Sequence, residues 1–360
     1  MGRVILAAVL LALGSVFGQS MASGVSPVRD AVPCPADFDE FWQSSIRKLE
    51  GDTPLDLKVE RESASSRPEF DYFKFSFATV GRRMWGFMTV PTDKTKGKFP
   101  FLLRIPGAGP YHAGWWGGNG THLTMMVNVL DFDPNGPAGI EADYNTMCKR
   151  LKAKYGYAGD WYLLAGMAAS REEVFAYPVL LGLNRIVEWV WNRPDVDRSC
   201  FSVIGGSQGG YLTIALLGIN RRFTRAVAYV PAGGDLLGDD FGRVPGYPQP
   251  LRNYPADCHD AIRRIAPYFD AVNFAARNET PLRGARGLSD SICSPSSTKL
   301  IFDALKGEKH VIDCPGMTHA VFPEVEKELA KWARSRTLRV SESAAAGNDA
   351  SVRASGEFHE

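Results

Sequence analysis

The 360-residue sequence carries almost no excess charge, with 41 Lys and Arg against 40 Asp and Glu. A chain so balanced exerts no long-range pull on nucleic acid or on an anionic membrane, and neither is expected as a partner. It has no GxGxxG and no GxxxxGK[ST] stretch, the glycine-rich patterns whose backbone amides cradle dinucleotides and nucleoside triphosphates. No nucleotide cofactor is therefore expected. Its six cysteines (Cys34, Cys148, Cys200, Cys258, Cys293 and Cys314) include no C-x-x-C pair, and its six histidines include no H-x-x-x-H pair. The usual zinc spacings are missing, and no metal is expected. Beyond the first residues, no apolar run approaches the roughly 18 residues needed to cross a bilayer.

The N-terminus departs from this pattern. Arg3 is followed by an apolar run over 4–17 and then by small residues, with plausible cleavage after Gly18 or Ala22. Residues 1–22 read as a secretory signal peptide, which predicts an exported protein with no integral span after cleavage. Export permits disulfides, but a domain of this size does not need them. Cys200 and Cys314 fall in predicted core strands and read as buried free thiols. Residues 23–335 form the predicted domain. In 336–360 Ser, Ala, Gly and charged residues dominate, a composition that buries too little apolar surface to order itself.

Within the domain, Phe38, Phe41, Trp42 and Ile46 share one face of a predicted helix, with Asp37 as its N-cap and Glu40 as the capping-box partner. Strands are predicted over 55–61, 70–79, 84–90, 99–105 and 123–130. Helices follow over 140–154 and 172–191, the second kinked or restarted at Pro178. Residues 231–258, rich in Gly, Pro and Asp, read as a lid or loop insertion. Later elements are a helix over 260–268, strands over 282–288 and 310–314, a helix capped by Ser294 and opened by Pro295, and a closing helix over 322–332. Alternating strands and helices predict a mostly parallel sheet with helices on both faces.

The most informative stretch is 200–220. A short β-branched strand runs into Gly205-Gly206-Ser207-Gln208-Gly209, and a helix apolar nearly all round follows. G-x-S-x-G between a strand and a helix is the nucleophile elbow of an α/β-hydrolase fold. The serine hydroxyl is exposed on a sharp turn, and the glycines let two backbones pass where a Cβ would clash. Catalytic groups of such sheets lie at the carboxyl ends of strands. Ser207, Asp290 and His319 occupy such positions, in the chain order expected of this fold. They are the candidate nucleophile, orienting acid and general base. Pro106-Gly107-Ala108-Gly109-Pro110 ends the strand over 99–105, so the backbone amides of Gln208 and Ala108 are the candidate oxyanion donors. Trp115 and Trp116, a few residues further on among glycines, are candidate sugar-stacking residues. His259 lies in the insertion, His310 at the wrong end of its strand, and Asp313 within a strand.

Several stretches resemble one family. Pro35-Ala36-Asp37-Phe38-Asp39-Glu40-Phe41-Trp42, Gly205-Gly206-Ser207-Gln208-Gly209-Gly210, Tyr268-Phe269-Asp270-Ala271-Val272-Asn273-Phe274-Ala275 and Gly287-Leu288-Ser289-Asp290-Ser291-Ile292-Cys293-Ser294-Pro295 are similar to segments of the acetyl xylan esterase/cephalosporin C deacetylase family, carbohydrate esterase family seven. The resemblance implies an α/β-hydrolase that removes acetyl groups from sugars, with its catalytic roles on Ser207, Asp290 and His319 and an acetylated oligo- or polysaccharide as partner. Three family features differ. Pro106-Gly107-Ala108 replaces His-Gly-Tyr, Asp131-Phe132-Asp133-Pro134 stands where Arg-Gly-Gln is usual, and Ala320 follows His319 in place of Glu. The chain is more similar to exported polysaccharide-utilisation relatives.

Two other readings share the fold. A prolyl-oligopeptidase-type serine peptidase would need a gating β-propeller, and only roughly thirty-five residues separate the leader from the first strands. A non-catalytic carbohydrate-binding protein would not need Ser207, Asp290 and His319 together.

Overall fold

The computed structural model describes residues 31–110, 118–156 and 162–336. The leader (1–22), Trp115, Trp116 and the tail from 337 onward lie outside them. Nine strands form one sheet: β1 Lys58–Arg61, β2 Phe70–Thr79, β3 Arg82–Pro91, β4 Phe99–Ile105, β5 Leu123–Asn128, β6 Val196–Gly206, β7 Arg225–Tyr229, β8 Leu282–Gly287 and β9 Lys309–Cys314. Their order is β1-β2-β3-β5-β4-β6-β7-β8-β9. β1, β2, β3 and β5 pair antiparallel, and β5 through β9 pair parallel. The helices are α1 Phe38–Asp52, α2 Ile140–Tyr155, α3 Ala176–Trp191, α4 Gln208–Ile219, α5 Pro250–Asn253, α6 His259–Ile265, α7 Ala271–Ala275, α8 Pro295–Ala304 and α9 Pro323–Ala333.

The period of two along each strand divides the core. Phe101, Leu103, Phe201, Val203, Ala226 and Ala228 point into the larger cluster with α3 and α4. Leu102, Ile204, Val227 and Ala285 point to the other face, where Leu329 and Ala333 of α9 cover them. α4 is buried from Gln208 to Leu217, as its all-round apolar sequence predicts. The order of strand addition reverses at the middle of the sheet: β4 leads outward to β5 on one side, and β6 leads to β7 on the other. β4 and β6 are neighbours, so the crevice beyond their carboxyl ends is the topological switch point, where ligands of open α/β sheets bind.

Three local expectations are corrected or refined. Asp37 precedes α1 but makes no side-chain cap. Its carboxylate instead accepts from the Tyr268 hydroxyl and from Arg171, at 3.1 Å for the latter, and the Tyr268 hydrogen bond is the main reason its pKa is lowered. α3 starts at Ala176 and not at 172, so Pro178 helps open the helix, close to the expected restart, and does not interrupt a longer one. The proline lies in the first turn, where a helical N–H has no intrahelical acceptor, so its missing donor costs nothing there. The stretch from 231 to 258 is a loop insertion with short helical turns, but its first part is not a free lid, because residues 231–238 are buried. Asp270 accounts for this: it accepts from the N–H groups of Asp235 (3.1 Å), Leu236 (2.7 Å) and Val272 (2.9 Å). Asp235 in turn binds Arg243 through two bonds of 2.8 and 2.7 Å. Cys200 and Cys314 are buried, and none of the six cysteines forms a disulfide among the described residues.

Candidate active site

β6 ends at Gly206 and α4 begins at Gln208, so Ser207 alone makes the turn between them. It takes φ = 55°, a left-handed conformation that residues with a Cβ seldom adopt. Three backbone bonds hold it there. Its N–H donates to the Tyr229 carbonyl (3.0 Å), and its own carbonyl accepts from Tyr211 (2.9 Å) and Ala232 (3.2 Å). The turn also brings backbones into close approach. A Cβ on Gly205 would lie 2.3 Å from the Gly209 carbonyl oxygen, and one on Gly209 would lie 2.2 Å from that of Ile105. The glycines of the motif are steric requirements.

The structure brings Ser207, His319 and Asp290 together from three loops at the carboxyl edge of the sheet. His319 Nε2 lies 2.9 Å from Ser207 Oγ, and His319 Nδ1 lies 2.9 Å from Asp290 Oδ2. Asp290 is buried, and its Oδ1 accepts from the backbone N–H groups of Ile292 (2.8 Å) and Cys293 (3.0 Å). The loops carrying the acid and the imidazole are stitched together: Leu288 N–H donates to Cys314 and Ser289 N–H to Met317, each at 3.1 Å. An ionised carboxylate only accepts, so Asp290 places the imidazole proton on Nδ1 and leaves Nε2 to accept from the serine hydroxyl.

Cys293 is buried beside this pair, and burial together with the Asp290 charge pushes its thiol well above the usual range. It stays protonated and is no nucleophile. Among the described residues, Asp290, Cys293 and His319 are the one group of His, Cys, Asp or Glu side chains close enough to share a metal ion. Two of the three are already committed to each other.

A cavity of about 550 Å³ opens at Ser207 and His319. Gly107 and Ala108 of the loop after β4 line it, as do Tyr247, Ile292 and Val321. Gln208 is buried at the head of α4, directly behind the serine. Arg104, Tyr229 and Glu326 add a polar part to the lining, with the Tyr229 hydroxyl 3.5 Å from Glu326. Burial lowers Arg104 from its ordinary value, and burial with the Glu326 charge pushes Tyr229 up to about 12. These three were missed in the sequence. The signal was Arg104 itself, a cation in the otherwise apolar strand Phe99–Ile105 directly before the predicted oxyanion loop. Two further unpredicted contacts are those of the Gln208 side chain, to Gly107 and to Tyr162.

A serine, an imidazole and a carboxylate so linked, at the switch point of this sheet, define a hydrolase of the α/β class. The chain belongs to the acetyl xylan esterase (AXE1) family, whose sequence model matches residues 25–336, and it is a carboxylic-ester hydrolase. It is 26% identical over 310 residues to acetyl esterase Axe7A of Xylanibacter ruminicola, a match spanning 84% of this chain and 67% of that protein. Two solved structures share the fold. An acetyl xylan esterase from a Paenibacillus species superimposes with a TM-score of 0.68 at 22% identity, covering 86% of this chain and 98% of the other. Acetyl xylan esterase 1 from a Thermoanaerobacterium species gives 0.65 at 18% identity, covering 86% and 99%.

Proposed function

We propose that the protein removes O-acetyl groups from acetylated carbohydrate through an acetyl-enzyme on Ser207. The observation that carries this reading is the unbroken hydrogen-bonded line from Asp290 through His319 to Ser207 at the mouth of the cavity. Ser207 Oγ attacks the acetyl carbonyl carbon while His319 Nε2 takes the hydroxyl proton. The backbone N–H groups of Gln208 and Ala108 receive the oxyanion of the tetrahedral intermediate, where one such donor is worth about 3 kcal/mol. As the intermediate collapses, the C–O bond to the sugar breaks and His319 returns the proton to the departing sugar oxygen. Water, deprotonated by His319, then attacks the acetyl-serine; the Ser207 Oγ–acyl bond breaks, acetate leaves and His319 returns the proton to Ser207 Oγ. Asp290 stays ionised and stabilises the imidazolium.

Trp115 and Trp116, just past the oxyanion loop in sequence, supply aromatic faces for the apolar sides of sugar rings. Their change to Ala should raise KM for acetylated oligosaccharide and spare p-nitrophenyl acetate. The leader over 1–22 makes this an exported enzyme, and N-terminal sequencing of the mature protein should begin at Gln19 or Ser23. The decisive assay is acetate release from acetylated xylan, mannan and pectin, with Ser207→Ala alongside. That variant should fold normally and lose about 10⁴- to 10⁶-fold in kcat. A folded Ser207→Ala with near wild-type turnover would sink the reading, as would a wild-type enzyme inert on every acetylated polymer.

A further inference from the structure

The carboxamide of Gln208 turns inward. Its Nε2 lies 3.3 Å from the Gly107 carbonyl oxygen and 3.0 Å from the Tyr162 hydroxyl. A carbonyl oxygen only accepts, so the amide faces the loop with its NH₂ group, one N–H for each partner. Tyr162 is itself fixed. It is buried, with its ring edge-to-face against Phe175 and Tyr144 at centroid distances of 5.3 and 5.8 Å. Burial pushes its phenol far up, so it remains a neutral hydroxyl.

Gly107 and Ala108 share one peptide unit. In a planar trans peptide the C=O and the N–H point in opposite directions. Holding the Gly107 oxygen against Gln208 therefore turns the Ala108 N–H the other way, and Ala108 lines the cavity together with Ser207. Such a hold matters at this position. Gly107 has no Cβ to resist rotation of the unit, and among the described residues no backbone N–H donates to its carbonyl. A flipped peptide would present oxygen in place of N–H to a developing oxyanion.

We propose that the Gln208 side chain is a positioning group for the oxyanion site, and that Tyr162 holds it in place. One residue thereby supplies one oxyanion donor through its backbone and aims the other through its side chain. The inference rests on the esterase reading above and adds a role to the variable position of the G-x-S-x-G motif.

Gln208→Met keeps the length of the side chain and the backbone N–H but removes both side-chain donors. Loss of a whole oxyanion donor costs about 10²- to 10³-fold in kcat, so a donor left unaimed should cost about 10- to 100-fold, with KM for p-nitrophenyl acetate hardly changed. Gln208→Glu should lose more, because a carboxylate would face the Gly107 carbonyl. Methylboronic acid separates positioning from bulk structure, since its tetrahedral adduct on Ser207 places an oxygen where the oxyanion forms. Its Ki should rise in Gln208→Met by the same factor by which kcat/KM falls. Tyr162→Phe, which deletes one oxygen, should show the same linked change at about 3- to 10-fold and serves if Gln208→Met does not fold. Unchanged kcat and Ki in the folded variants would overturn the proposal. So would a fall in kcat and thermal midpoint with Ki unmoved, which is the mark of a purely structural residue. Ser207→Ala tells the two readings apart: an active Ser207→Ala removes the esterase site itself, whereas an inactive Ser207→Ala beside a wild-type-like Gln208→Met removes only the role of the side chain.

Discussion

Asp290 meets His319 with one oxygen only. Oδ2 lies 2.9 Å from the imidazole Nδ1, while Oδ1 is held by the N–H groups of Ile292 and Cys293. That division dictates what Asp290→Asn would do. The amide oxygen must stay on the two backbone donors, so its NH₂ faces Nδ1. Nδ1 then becomes an acceptor, the ring proton moves to Nε2, and the base can no longer take the Ser207 proton. Turnover should fall about 10⁴-fold with the thermal midpoint nearly unchanged. Steady-state acetate release and a melting curve check both halves, and a variant retaining a tenth of wild-type kcat would contradict the assignment.

Gly209→Ala should behave in the opposite way. Its new methyl group would meet the Ile105 carbonyl oxygen at 2.2 Å, and backbone cannot rotate aside as a side chain can. Overpacking of this kind costs about 1–3 kcal/mol and pushes β4 away from the elbow. Midpoint and activity should drop together. A variant with the wild-type midpoint would show that the close approach is softer than the geometry implies.

Asp270 gives stability a specific pH dependence. Burial is the largest influence on it and raises its carboxyl from 3.8 to about 7, against the pull of the three N–H groups it accepts from. A carboxyl raised on folding holds its proton longer in the native state. Its contribution is full below the unfolded value and is lost as pH rises through the folded one. The window is therefore about pH 4 to 7, with each unit of separation worth about 1.4 kcal/mol. The stability difference between wild type and Asp270→Asn, measured by urea unfolding at several pH values, should shrink across that window and level off above it. A difference that stays constant from pH 4 to 8 would show that Asp270 is ionised throughout.

Legibility followed the range of each constraint. The elbow could be read because its steric demands act within a few residues and leave only glycine at positions 205 and 209. The places of Asp290 and His319 followed from chain order and strand ends, and β4, α2 and α8 were found within a residue or two of their bounds. The errors share another cause. The stretch from 231 looked like surface loop because Gly, Pro and Asp are turn residues. Its burial depends on Asp270, some 35 residues later, which no local pattern shows. Asp37 looked like a cap because the sequence does not display Tyr268 and Arg171 beside it. Gln208 occupied a motif position written as any residue, so its side chain carried no signal until Gly107 and Tyr162 stood next to it.

The C-terminal boundary is also testable. The His122 ring nitrogen lies 3.1 Å from the Arg334 carbonyl, and buried Arg225 donates to the Ser335 carbonyl. Removing residues 337–360 should leave midpoint and activity unchanged. Ending the chain at Ala333 should cost about 1.5–3 kcal/mol, since a charged donor loses its acceptor. A large loss from the shorter deletion would show that the tail contributes to the domain.

The aromatic face of α1 has a consequence for the order in which the protein is built. Trp42 donates to the Tyr268 carbonyl at 3.2 Å, and the Phe38 ring meets that of Phe274 edge-on at 5.1 Å. These partners are synthesised more than two hundred residues after the helix they cover. Contacts so distant in sequence form late, because the chain between them must first be ordered. The first helix of the domain thus stays uncovered through most of synthesis, and it packs only once residues 268–274 have been made.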